Sequence, residues 1–188
     1  MKIILSGITG SKAYGLDTPD SDTDLKGVFV YPTEEILSIY PKQQTINQHE
    51  PDIEYHEVLK FVSLAAKCNP TILEMLFLND YIELTLEGQM LIEIREAFLS
   101  KIIYSAYGGY ARSQAMKMYR KAQLGEEYTR YSKHTRHTYR LLQQGRQLLE
   151  SSTLQVRVDN RDELFAISTI PVDEMVDRFE KEYQNFIN

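Results

Sequence analysis

The stretch that most constrains this chain is residues 10–27, GSKAYGLDTPDSDTDLKG. An apolar, β-branched run over residues 2–9 leads into it, and that run reads as a buried strand. Gly10-Ser11 closes the strand, and Gly15, Pro19 and Asp20-Ser21 then mark residues 11–20 as turn or short helix. Asp22-Thr23-Asp24 opens a second apolar run, VFVY, so residues 23–31 read as the next strand. If strand geometry extends back to residue 22, Asp22 and Asp24 point to one face, about 6.5–7 Å apart. Two carboxylates so close repel unless a cation lies between them, and a divalent metal is the usual one. The spacing alone leaves a solvated turn open, because PDSDTD is also good turn chemistry.

The neighbouring turn has chemistry of its own. Gly10 has no side chain to keep a phosphate off the backbone, and the Ser11 amide and hydroxyl can both donate to one. Carboxylates beside such a turn suit a metal-nucleotide site. A third acid would complete it, and Asp52, 28 residues after Asp24, is the candidate, with Glu54 its rival on the same face of a short strand at 52–55. Such an acid can also draw the proton from an attacking hydroxyl.

Along the rest of the chain, Thr33 with Glu34-Glu35 opens a short helix over 33–39, and residues 40–51 read as loop. Val58, Phe61, Val62, Leu64 and Ala65 recur at helical spacing. Asn69 caps and Pro70 starts a helix over 70–78. Helices follow at about 85–99, 100–123 (with a bend at Gly108-Gly109), 127–150, 161–168 and 172–186; residues 154–158 are strand or extended. The expected fold class is α+β: a small mixed sheet with flanking helices over residues 1–80, then a mostly helical region, 81–188, packed on it.

The composition, 43% hydrophobic and 26% charged, is that of a globular domain. No apolar run reaches the roughly 18 residues of a membrane helix, and the opening residues are too short for a signal peptide, so no membrane partner and a cytoplasmic location are expected. A single cysteine, Cys68, leaves no disulfide framework or Cys-rich zinc site. The net charge of −6 hides a basic block: residues 112–140 carry eight basic and two acidic side chains. On a helix Lys133, His137 and Arg140 fall within about 60° of one another, a single stripe suited to phosphates, with Arg130 and Arg136 flanking it. Upstream, Arg112, Lys117, Arg120 and Lys121 alternate with Tyr107, Tyr110 and Tyr119; such interleaving can track nucleic acid but is better explained by half-buried tyrosines at helical spacing.

These landmarks resemble the nucleotidyltransferase signature of the DNA polymerase β superfamily, and most closely its RNA-ligase-associated branch. The resemblance rests on Gly10, Ser11, Ala13, Tyr14 and Gly15, then Ser21, Asp22 and Asp24, then Asp52, Lys60-Phe61, Asn69-Pro70 and Glu74. It continues at Lys133, His137, Arg140 and Leu141-Leu142, and so covers roughly residues 4–145. It implies that Asp22, Asp24 and Asp52, rather than Glu54, are catalytic metal ligands for magnesium, or manganese in its place. It also implies that Gly10 and Ser11 meet a nucleoside triphosphate, with Lys133, His137 and Arg140 as further phosphate contacts. The expected activity is transfer of a nucleoside monophosphate to an acceptor hydroxyl, on an RNA end, a protein or a small molecule, with release of pyrophosphate. The alternative is a non-catalytic nucleotide- or RNA-binding module, or an antitoxin-type partner protein, on the same fold. Base choice, acceptor and oligomeric state are left open.

Overall fold

Lys2–Thr9 is strand β1, and its continuous apolar run is what a central strand needs, since Ile4, Leu5 and Ser6 are all buried. The computed structural model describes residues 1–187, apart from the side chains of 128–130, and it divides them into two units meeting at Phe98 and Leu99.

In the first unit a short helix, α1 (Gly10–Tyr14), follows β1 directly, and strand β2 (Asp24–Val30) returns antiparallel beside it. A turn of helix, α2 (Thr33–Ile36), leads to strands β3 (Thr45–His49) and β4 (Asp52–Glu57). Helices α3 (Val58–Ala65) and α4 (Pro70–Leu76) come next, then the two-residue strand β5 (Glu83–Leu84) and helix α5 (Leu86–Glu93). The sheet is mixed, in the order β3-β4-β2-β1-β5, with β2 and β4 parallel and the other pairs antiparallel. Phe29, Phe61, Ile72, Leu73 and Leu76 are fully or almost fully buried.

The caps follow the sequence. The Asn69 side chain accepts from the Thr71 amide with Pro70 at the first turn, and Thr85 accepts from the Gly88 amide. The first unit runs past residue 80 because β5 pairs with β1 and Gly88 lets α5 lie against it: a Cβ there would stand 2.1 Å from the Ile4 carbonyl oxygen. Strand β3 occupies part of the segment read as loop. Its sequence, TINQH, is polar and mostly exposed at the sheet edge, so it carries little of the apolar alternation that marks strands.

The second unit is helical: α6 (Ile102–Gln123), α7 (Tyr128–Ser151), α8 (Arg161–Ile167) and α9 (Val172–Ile187). Helix α6 runs unbroken through Gly108-Gly109. The absent side chain at Gly108 serves packing instead, since a Cβ there would meet the Tyr183 ring at 3.2 Å. Gly145 of α7 does the same, within 2.9 Å of the Phe186 ring and the Tyr107 Cβ. Residues 154–158 pair with no strand; the buried Gln144 amide donates to the carbonyls of Gln155 and Val156 instead. No helix of the described residues is long and apolar enough to cross a membrane.

Candidate active site

Strand register brings the acids together. Thr9 stands opposite Asp24 on β1 and β2, and Asp24 stands opposite Asp52 on β2 and β4. Residues directly opposite share a face, so Asp24 and Asp52 lie side by side at the end of the sheet where β1 passes into α1. Gly10 takes a left-handed φ of +68°, and a Cβ on it would fall 1.8 Å from Asp24 Oδ2. The Asp24 carboxylate therefore rests on the bare backbone of Gly10, and Ser11 comes next in the chain.

Asp22 stands apart. Strand β2 begins at Asp24, so Asp22 is an exposed residue of the preceding loop, and strand alternation does not set its direction. The turn-forming TPDS segment before it stops the ladder from reaching back that far. Asp52 is exposed and Asp24 half-buried. Three carboxylates are the donor type magnesium prefers. Asp24 and Asp52 fit as neighbouring donors; among the described residues, however, no three of His, Cys, Asp and Glu converge on one metal position.

Glu54 has another partner. Lys26 stands opposite it across β2 and β4, and the Lys26 ammonium donates to Glu54 Oε2. Burial works to raise the Glu54 carboxyl, but the hydrogen bond and charge of Lys26, helped by His56, leave it below its usual range. His56 Nε2 lies 3.8 Å from Glu54 Oε1, and its Nδ1 is 3.0 Å from Thr45 Oγ1. Burial holds the His56 pKa below its usual value despite the pull of Glu54. Lys26, Glu54 and His56 thus continue the polar face that starts at Asp24 and Asp52. Lys26 could have been anticipated from its place two residues after Asp24.

Helix α1 is fixed from behind by Tyr14. Its hydroxyl donates to Glu74 Oε2 of α4 at 2.6 Å, with Tyr14 4% and Glu74 1% exposed. At that depth Tyr14 is a brace, not an open wall of a base pocket. On the other side, the Lys12 ammonium donates to the Thr23 hydroxyl, between Asp22 and Asp24.

The basic stripe lies on α7 in the second unit. Lys133 is exposed, His137 half-buried and Arg140 buried, with Arg140 Nη1 donating to Gln144 Oε1. One helical face does hold all three, but it goes from exposed to buried along its length, so it is not a uniformly solvated stripe. Burial, and then the charges of Arg140, Lys133 and Arg136, hold His137 well below its ordinary pKa. Arg136 sits over the Phe165 ring, 4.3 Å from its centroid; the Arg130 side chain lies outside the described residues.

A family model described as "RNA repair pathway DNA polymerase beta family" matches residues 1–172. An uncharacterized 38.9 kDa protein in the nrdC-mobD intergenic region of Enterobacteria phage T4 is 32% identical over an alignment of 133 residues, and the match covers 62% of this chain and 39% of that relative. This chain thus spans about two fifths of the relative's length. The crystal structure of a nucleotidyltransferase-like protein from Exiguobacterium sibiricum 255-15 overlays 99% of this chain and 68% of that one, at 9% identity and a TM-score of 0.39. So loose an overlay bears on neither fold nor function.

Proposed function

Because this chain belongs to the RNA repair pathway DNA polymerase beta family, we propose that it transfers a nucleoside monophosphate from a triphosphate to an acceptor hydroxyl, releasing pyrophosphate. The observation that carries the reading is the junction of β1, α1 and β2. There the Asp24 carboxylate rests on Gly10 and stands beside Asp52. A metal-bound triphosphate needs such a place, with carboxylates on one side and the amide and hydroxyl of the residue after the glycine on the other.

Asp24 and Asp52 would hold magnesium or manganese, with Asp22 as the further donor only where its loop brings it to the ion; the metal when bound supplies charge neutralisation at the transferred phosphorus. Gly10 leaves room for the Asp24 carboxylate beside the phosphates, and Ser11 donates to them. Asp52 orients the acceptor hydroxyl and takes its proton as oxygen attacks the α-phosphorus and the bond to the pyrophosphate breaks. Positioning of the two reactants provides much of the rate. The family's description names an RNA repair pathway, which supports an RNA end as acceptor.

The test incubates the protein with each α-labelled triphosphate, magnesium and either RNA ends or protein, beside an Asp22→Asn/Asp24→Asn control. Label on RNA with release of pyrophosphate, lost by at least about a hundredfold in the control, is the expected result. Label on protein alone overturns the RNA assignment. No transfer to any acceptor, with nucleotide or RNA still bound, replaces the enzyme by a binding module.

A further inference from the structure

The basic block over residues 112–140 has no part in the reading above, and the fold spreads it over α6 and α7, which pack together within the second unit. Its eight basic side chains are met by two acidic ones, Glu126 and Glu127, both in the short connection between the helices.

Three of the lysines converge. Tyr110, Gln114, Lys117 and Lys121 recur at steps of four, three and four along α6, so they fall within about 60° of one another on a stripe about 16 Å long. Gln114 Oε1 lies 2.8 Å from His134 Nδ1, which sets this stripe against Lys133 and His134 of α7. Burial, and then the charges of Lys121, Lys117 and Lys133, hold His134 below its ordinary pKa, with Glu126 opposing them. Ammonium groups from both helices are therefore gathered round one half-buried imidazole. Lys121 reaches Glu126 at 3.4 Å, while Lys117 and Lys133 are exposed. Gathered cations repel one another, and a polyanion laid along the seam relieves that repulsion.

The tyrosines divide. Tyr107 is core, at 0% exposed, whereas Tyr110 and Tyr119 each keep 40% of their surface open. Tyr110 belongs to the lysine stripe, one turn before Gln114. A cationic track with an aromatic ring in line suits a polymer that alternates phosphates with unpaired bases. An acidic peptide would use the charge and leave the ring nothing to stack on.

We propose that the seam between α6 and α7, from Tyr110 to Lys121 with Lys133 across it, binds the backbone of single-stranded RNA, with Tyr110 stacking on a base. This rests on the reading of RNA as the acceptor, and it gives the RNA a holding surface outside the residues that carry the chemistry. Lysines that neutralise phosphodiesters release condensed counterions, so the affinity falls with salt.

The experiment is fluorescence anisotropy of the full chain with labelled oligouridine over a series of salt concentrations, together with KM and kcat for label transfer to RNA. Lys117→Ala/Lys121→Ala is expected to weaken oligouridine at least about tenfold and to flatten the slope of log Kd against log salt by about 1–1.5. It should also raise KM for RNA and leave kcat within about threefold. Tyr110→Leu should weaken binding about fivefold with the salt slope unchanged. Lys101→Ala/Lys181→Ala, which removes the same charge from exposed positions elsewhere in the unit, should stay within about twofold. Lys117→Gln/Lys121→Gln replaces the alanine pair if circular dichroism shows lost helix. A loss of equal size in the Lys101/Lys181 control overturns the site, because it marks net charge alone. Parental Kd and salt slope in the Lys117/Lys121 variant, with the parent binding and labelling RNA, overturns the seam and leaves the acceptor reading in place. Displacement of oligouridine by polyglutamate at equal charge, with Tyr110→Leu at parental affinity, replaces RNA by an acidic protein partner. A parent that labels protein and neither binds nor labels RNA overturns the acceptor reading and the seam with it.

Discussion

Gly10 carries the tightest steric condition in the candidate site. Its φ of +68° is one that side-chain-bearing residues adopt only at a cost, and its missing Cβ would lie 1.8 Å from Asp24 Oδ2. Gly10→Ala therefore has two penalties, backbone strain and displacement of a carboxylate. We expect a loss of about 1–3 kcal/mol in urea unfolding and a drop in label transfer larger than that loss of stability explains. Transfer and stability both at parental values would remove Gly10 from the site. Glu54 shows how one neighbour changes a residue's role. From spacing it competes with Asp52, but with Lys26 directly across the ladder its charge is already matched.

At the scale of the element, α1 is only five residues long and too short to hold itself in place. Its orientation comes from the bond between Tyr14 and Glu74, a hydroxyl and a carboxylate buried together 60 residues apart in sequence. Tyr14→Phe leaves the ring packed but removes a donor from the Glu74 carboxylate. The expected cost is about 1–3 kcal/mol in denaturant midpoint, with a raised KM for triphosphate and kcat changed less. Tyr14→Phe/Glu74→Gln should regain part of the stability, because the charge is no longer buried with one partner fewer. A Tyr14→Phe protein with parental stability and KM would show that α1 is held by other means. The same residues explain why α1 was legible in outline only. Gly10-Ser11 and Gly15 announce a turn, but the brace that orients it is a contact between distant segments, and no local pattern reports it.

Across the whole molecule, three histidines are held below their ordinary pKa mainly by burial: His56 in the first unit, and His134 and His137 in the second. In the unfolded chain each takes a proton near pH 6.5, while the folded form resists it. Below that pH the unfolded state binds more protons, so stability is full above about pH 6.5 and falls as the pH drops, by up to about 1.4 kcal/mol per pH unit for each histidine. Urea unfolding between pH 7.5 and 5.5 measures this, and His137→Gln should flatten the slope relative to the parent. An identical slope in both proteins would show that His137 does not contribute. The sequence by itself determined the caps at Asn69 and Thr85, the strands at β1 and β2, the long helices, and the three acids with the glycine turn as candidates, because all of these depend on local chemistry and periodicity. Only the tertiary structure decided that β2 starts at Asp24 and leaves Asp22 in the loop, that Asp24 faces Asp52 in register, and that Glu54 belongs to Lys26. It also decided that the stripe on α7 passes from exposed Lys133 to buried Arg140. The reason is physical: strand register and burial are properties of pairs of distant segments. A sequence pattern therefore brought the carboxylates and cations forward as candidates, but which of them meet one another was settled by the packing.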